Sequence, residues 1–393
     1  MKLLLNTESL RPPLTGIGSY TLNLLRQFTK TSTFERLGCF NGRALVDADE
    51  QLRLATASSG ADSSEVPARQ PNFTDRIRKT VRGVPGAYKL RAALLDRRFD
   101  KAAQTIPGAV YHEPNFILKD YAGPAVTTVH DLSFIHYPQY HPRERVVWLK
   151  EQLPKTLMRA DAIITDSDVV RRQLIESLAV PEERIRTVYL GADEQFKPRS
   201  QEVVGEFLSR FGLAYQSYVL FVGTLEPRKG VDVLLDAWCA LPDSVQRAYP
   251  LVLAGASGWG NSELLQRIKA LVAQGRIHYL DYVPAEALPL LYSGASLFVY
   301  PSVYEGFGLP VLEAMSSGVP VICRAGTSMA EFAKGACLLC ETGETEELTG
   351  KISAVLESPV KQKEYAQKGL VQAMHYSWAR CAQETVSVYR SIS

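Results

Sequence analysis

The 393-residue chain has little of what marks a membrane-spanning, secreted or nucleic-acid-binding protein. No apolar run approaches the roughly 18 residues of a membrane span. Met1–Asn6 is too short for the apolar core of a signal peptide and suits a first buried strand. Lys and Arg number 44 against 42 Asp and Glu, a net charge of +2, whereas a polyanion partner demands a larger basic excess. The six cysteines (Cys39, Cys239, Cys323, Cys337, Cys340, Cys381) are scattered, mostly inside apolar runs, as reduced thiols of a cytosolic protein are. Cys337 and Cys340 form a C-x-x-C, yet no second Cys/His pair stands at ligand spacing. The segment 336–340 reads as a buried strand, so neither zinc nor redox chemistry is expected there. Asn72-Phe73-Thr74 matches a glycosylation acceptor, which carries no meaning without secretion.

What is present is globular: 46% apolar and 22% charged residues, in a chain long enough for two cores. Short apolar runs alternate with helical patterns, the signature of α/β architecture with parallel sheets. Strands are predicted at 2–6, 109–112, 125–129, 162–166 and 185–189, then at 218–223, 250–254, 277–281, 297–300, 319–323 and 336–339. The polar, Pro-containing stretch from Gly191 to Ser200 suits a hinge, which divides the chain into domains 1–200 and 201–375 with the boundary near 195–215. Residues 47–70 are polar and small, and read as an exposed loop. Residues 69–101 carry ten Lys/Arg (Arg69, Arg76, Arg78, Lys79, Arg82, Lys89, Arg91, Arg97, Arg98, Lys101) against three Asp. They read either as a solvated basic face or as a peripheral docking surface for anionic lipid on the inner membrane.

Four elements hold residues suited to chemistry. Gly16-Ile17-Gly18-Ser19-Tyr20 forms a loop leading into an amphipathic helix with Leu22, Leu25 and Phe28 on one side. Glycines there let N–H groups approach a phosphate, but Thr21 replaces the third glycine of the dinucleotide fingerprint, so a plain turn fits equally. His130 and Asp131 directly follow a strand, at the end where open α/β sheets bind ligands, and Asp131 is placed to fix the His130 tautomer. Phe221–Gly230 carries a strand into a turn with Arg228 and Lys229, a fork and a point charge that together suit a diphosphate without Mg²⁺. Finally, Pro301–Met315 sets Glu305 in a loop and Glu313 on the following helix, with Gly306 and Gly308 exposing N–H groups between them. The two carboxylates serve as an acid/base pair or as ligand hydrogen-bond acceptors.

In this order and spacing the four elements resemble glycosyltransferase family 4, the retaining enzymes of the GT-B fold, over nearly the whole chain. Glu305 to Glu313 looks like the family's E-x7-E motif, Gly223–Lys229 like its diphosphate-binding strand end, and His130-Asp131 like its active-site His-Asp. Tyr189–Asp193 with Phe196-Lys197-Pro198 looks like the interdomain hinge, and Tyr376-Ser377-Trp378 like the start of a C-terminal helix, 376–393, that crosses back to the first domain. The resemblance implies two Rossmann-like domains facing a central cleft, an acceptor domain first and a nucleotide-sugar domain second. It implies His130, Asp131 and Glu305 as catalytic residues, with Gly16, Gly18, Arg228, Lys229, Gly306, Phe307, Gly308, Leu309 and Glu313 binding the donor. Thr224 stands where several members have Arg, which leaves more diphosphate charge to Arg228.

Gly223–Lys229, Leu253-Ala254-Gly255 to Gly258-Trp259 and Tyr111–Asn115 are similar to a bacterial subgroup using GDP-mannose or GDP-D-rhamnose in surface-polysaccharide (lipopolysaccharide O-antigen) synthesis. The resemblance thus implies a cytoplasmic hexosyltransferase with no cofactor and no metal, a nucleotide-sugar donor, and a glycan or lipid-linked acceptor. A UDP-sugar donor fits the same residues. A nucleotide-sugar epimerase on this scaffold and a non-catalytic nucleotide-sugar-binding subunit are the rival readings, and His130, Lys229 and Glu305 argue against the second.

Overall fold

A computed structural model describes residues 1–11, 14, 16–57, 87–258 and 262–393. It divides into two compact units. The first comprises 1–166, 170–188 and 378–393; the second comprises 167–169 and 189–377.

Among the described residues, seven strands form the sheet of the first unit: β1 (Lys2–Asn6), β2 (Arg36–Phe40), β3 (Leu45–Asp47), β4 (Val110–Glu113), β5 (Ala125–Val129), β6 (Ala162–Thr165) and β7 (Ile185–Thr187). Their order is β3-β2-β1-β4-β5-β6-β7, parallel except for the β2–β3 edge pair. β4, β5 and β6 are buried along their whole length, so their polar residues His112, Glu113, Thr127, Thr128 and Thr165 lie inside with the apolar ones. The strand order reverses between β1 and β4, the point beyond whose C-terminal ends open parallel sheets commonly bind ligands.

The second unit holds β8 (Val219–Val222), β9 (Leu251–Ala254), β10 (Ile277–Tyr279), β11 (Leu297–Tyr300), β12 (Val321–Arg324) and β13 (Leu338–Cys340), in the order β10-β9-β8-β11-β12-β13. Every described pair in it is parallel. Its reversal lies between β8 and β11, the strands that lead into Arg228-Lys229 and Glu305.

Several expectations need correction. β2 and β3 were not foreseen, because Arg36-Leu37-Gly38 breaks the apolar run that marks the other strands. Residues 48–57 are a helix, not a loop: the Asp47 carboxylate accepts the Glu50 N–H at 2.7 Å and caps it, and Gln51 and Ala55 turn inward. The remainder of the expected loop, and Arg69, Arg76, Arg78, Lys79 and Arg82 of the basic segment, lie outside the described residues. The helix Ala87–Ala103 buries Phe99 against Phe40 and Tyr111. Residues 189–200 cluster with the second unit rather than the first. Phe196 packs on Tyr292 and the Arg199 N–H bonds Ser293 Oγ at 2.7 Å. Tyr376 also stays with the second unit, its ring 5.7 Å from Phe332. Cys337 precedes β13 and is buried, and the six cysteines are free. No helix among the described residues is long and apolar enough to cross a membrane.

The helix Trp378–Ile392 completes the first unit's core. Tyr389 is fully buried, and its hydroxyl meets His112 Nδ1 at 2.6 Å. His112 Nε2 meets Thr128 Oγ1 at 2.8 Å, and the Tyr20 hydroxyl reaches the same Oγ1 at 3.1 Å. This chain of polar atoms fixes the helix to β4 and β5, where an unpaired buried group is costly. Replacing Tyr389 with Phe leaves Nδ1 without its partner and is expected to lower stability by about 1–3 kcal/mol, measured by urea unfolding. Burial, helped by nearby His130, drives His112 down from 6.5 to about 3. Above pH 6.5 both folded and unfolded forms are neutral; as pH falls from 6.5 toward 3 only the unfolded form gains the proton. Stability is therefore lost by about 1.4 kcal/mol per pH unit in that window, and His112→Asn should flatten this part of the acid-unfolding curve.

Candidate functional site

In the second unit the β8 and β11 loops meet around one carboxylate. Glu305 Oε1 lies 2.6 Å from Lys229 Nζ, 2.7 Å from Ser302 Oγ and 3.2 Å from the Tyr300 hydroxyl. Its Oε2 lies 3.3 Å from Arg228 Nη1. Lys229 also donates to the Tyr300 hydroxyl at 2.8 Å, while Arg228 donates to the Tyr304 carbonyl and sits 3.6 Å from Glu226. The side chains of Arg228, Lys229 and Glu305 are each only 12% exposed, so they face one another in a medium that strengthens their attraction. Burial would raise the Glu305 carboxyl, but Lys229 and Arg228 outweigh it and hold it down to about 2. Burial and the neighbouring Arg228 push Lys229 below its ordinary value, against the pull of Glu305. The cluster balances two cations with two carboxylates, Glu226 and Glu305.

The loop beyond Glu305 is drawn tight. Ser328 Oγ donates to the carbonyls of Glu305 (2.7 Å) and Phe307 (3.0 Å). Phe307 is buried and stacks on Phe332 with ring centroids 4.5 Å apart. Gly308 holds φ +108° just before the helix Leu309–Ser316, and a Cβ there would lie 2.4 Å from Met329 Cγ. The loop thus runs from Glu305, which Arg228 and Lys229 hold, directly into the start of that helix. Glu313, on the same helix, is half-buried near Tyr292, and burial raises its carboxyl to about 7.

The first unit places His130 at the end of β5, 8% exposed. Its Nε2 donates to the Pro114 carbonyl at 2.8 Å, and its Nδ1 lies 2.6 Å from Asp166 Oδ2, at the end of β6. The tautomer partner is therefore Asp166, not Asp131. Asp131 turns instead to the Ser133 N–H (2.8 Å) and hydroxyl (2.6 Å), and that hydroxyl meets His141 Nε2 at 2.8 Å. A residue adjacent in sequence to His130 heads away from it, while the neighbouring parallel strand brings Asp166 alongside. Burial opposes a charge on His130, but Asp166 prevails and raises it above its ordinary value.

Gly16 and Gly18 do not sit in a loop: the helix Gly16–Thr29 begins at Gly16. A Cβ on Gly18 would meet the Ser9 carbonyl at 2.7 Å, so this glycine is needed for close packing, whereas Gly16 is open. A glycine chosen for tight helix packing looks the same in sequence as one chosen for a phosphate.

Two family models match, the glycosyltransferase family 4 model over residues 15–196 and the glycosyl transferases group 1 model over 213–371. O-antigen chain mannosyltransferase B of Escherichia coli is 37% identical over 99% of this chain and 100% of its own. The chain belongs to the family 4 glycosyltransferases. Serotype-specific mannosyltransferase WbdA of Escherichia coli is 28% identical over 57% of this glycosyltransferase and 28% of WbdA. The crystal structure of Anabaena Alr3699/HepE in complex with UDP and glucose superposes with a TM-score of 0.72 at 19% identity, covering all of both chains. That likeness gives the glycosyltransferase the GT-B fold.

Arg228, Lys229, Glu305 and the 306–309 loop, read from sequence as one donor site, stand together in the second unit, with Glu313 farther along the helix. Sequence reading missed Glu226, Tyr300, Ser302 and Ser328 there, and Asp166 in the first unit. Ser302 and Glu226 lie within a few residues of recognised positions; Ser328, which opens the helix Ser328–Phe332, and Asp166, just past β6, lie far from them in the chain and leave no local signal. Gly308→Ala is expected to cost about 1–3 kcal/mol through its strained φ and the Met329 contact, seen as a lower urea midpoint at unchanged slope.

Proposed function

We propose that this enzyme transfers mannose, or the related D-rhamnose, from a GDP-sugar to a glycan or lipid-linked glycan in O-antigen-type polysaccharide synthesis, with retention of configuration and without a metal. The observation that carries this reading is the full-length 37% identity to an O-antigen mannosyltransferase. The buried Arg228–Lys229–Glu305 cluster supports it from the chemical side.

In this reading the nucleoside diphosphate lies against Arg228, Lys229 and the N-terminus of the helix Leu309–Ser316, which together offset its charge. The bond between the anomeric carbon and the phosphate oxygen breaks, and the electron pair leaves with the diphosphate. The acceptor hydroxyl forms the new bond on the same face and passes its proton to the departing phosphate oxygen. No enzyme nucleophile is required, and two cations take the part a divalent ion would play. Glu305 and the 306–309 backbone hold sugar hydroxyls, Glu313 accepts from the ribose, and His130 attends the transferred sugar. The basic residues 69–101 remain a proposed contact with the inner face of the cytoplasmic membrane.

A UDP-sugar is the second reading, favoured by the likeness to HepE, whose structure contains UDP and glucose. Titration calorimetry with GDP- and UDP-sugars, followed by mass spectrometry of a lipid-linked acceptor, separates them; tighter GDP-mannose binding and a mass gain of one hexose are expected. Lys229→Ala should lower kcat by roughly two to three orders of magnitude with the fold intact. Full activity in that variant, an inverted anomeric centre by NMR, or complete loss with a chelator overturns the mechanism. Because the Glu313 carboxyl is raised to about 7, it becomes a ribose acceptor as pH climbs through 7. Donor KM should therefore fall from pH 6 to 8, and Glu313→Gln should abolish that slope.

A further inference from the structure

Asp166 directly follows β6 and is 3% exposed. Its two oxygens differ. Oδ2 meets His130 Nδ1 at 2.6 Å, whereas Oδ1 is buried with no hydrogen-bond partner among the described residues. A carboxylate oxygen withdrawn from water and left without a donor is costly, and such an atom calls for a partner outside the chain: a water, an ion or a ligand.

The surroundings narrow what that is. His130 has its other nitrogen committed to the Pro114 carbonyl. The Tyr20 ring stands edge-on to His130 at 4.9 Å, and its hydroxyl is spent on Thr128. The remaining titratable neighbours are Asp131 and Cys381, the latter a buried thiol. Among the described residues no Lys or Arg faces Asp166, so a phosphate would meet two carboxylates and no compensating side chain beyond His130. No cluster of three metal-ligating side chains occurs among the described residues. A single open acceptor fits a neutral donor: a hydroxyl.

We propose that Asp166 is a sugar-binding residue, its Oδ1 accepting a hydrogen bond from one sugar hydroxyl while its Oδ2 holds His130 in place. This rests on the reading that the enzyme transfers a sugar. The hydroxyl belongs to the acceptor glycan or to the transferred sugar, and one experiment distinguishes the two.

The test compares wild type, Asp166→Ala and Asp166→Asn on two series, mono-deoxy acceptors and mono-deoxy donor sugars, using whichever nucleotide sugar the wild type turns over. One deoxy compound is expected to lower wild-type kcat/KM roughly 10–100-fold, the loss of a hydrogen bond to a charged group, yet leave Asp166→Ala unaffected. Asp166→Asn, whose amide N–H can serve His130 Nδ1 while its oxygen still accepts, should keep part of the discrimination. The series in which this compound appears identifies the source of the hydroxyl. A merely structural aspartate slows every substrate alike, so equal ratios for wild type and both variants across both series overturn the proposal. If Asp166→Ala does not fold, the isosteric Asp166→Asn decides, since its ratio must fall below that of wild type. Turnover of a UDP-sugar and of no GDP-sugar would sink the donor assignment and leave this test intact.

Discussion

The Glu305 carboxylate, buried between Lys229 and Arg228, is the interaction on which the second unit's ligand end depends. It joins the loop after β8 to the loop after β11 at the place where the strand order reverses. Parallel strands alone would leave those loops splayed apart. A carboxylate with four donors at 2.6–3.3 Å removes that freedom and fixes where each cation points. Lys229 and Arg228 are arranged before any ligand arrives.

The same cluster sets a limit on that ligand. Two cations face Glu226 and Glu305, so the site is close to neutral without a substrate. In the proposed function a diphosphate adds negative charge there, and its stabilisation would draw on the N-terminus of the helix Leu309–Ser316 as well as on the side chains. That is why the Gly308 conformation and the Ser328 hydrogen bonds to the loop carbonyls matter as much as the charges. The first unit is built differently: Asp166 and His130 form one buried pair with no lysine or arginine among the described residues beside it.

Much of this was legible in the chain. Eleven of the thirteen strands stood out as short, mostly apolar runs between helical patterns; β2 and β3 lie toward the sheet edge, where Arg36 and Gly38 are tolerated and the pattern fades. Arg228-Lys229 and Glu305 were readable because each lies just past such a strand. Helix boundaries set by a single cap were not: Asp47 turned an expected loop into the helix Ala48–Ala57, and the glycines at 16 and 18 open a helix rather than a loop.

The sequence by itself determined two α/β units, the strand ends that carry chemistry and the family, because these follow from local apolar periodicity and from residues close together in the chain. Only the tertiary structure decided partnership. His130 has Asp131 beside it in sequence and Asp166 beside it in space, 36 residues away, because a parallel crossover returns the chain to the neighbouring strand. Parallel pairing of β8 with β11 set Glu305 against Lys229 across 76 residues, and packing of the C-terminal helix on β4 set Tyr389 against His112 across 277. Contacts of that range depend on register and packing, which no local pattern encodes.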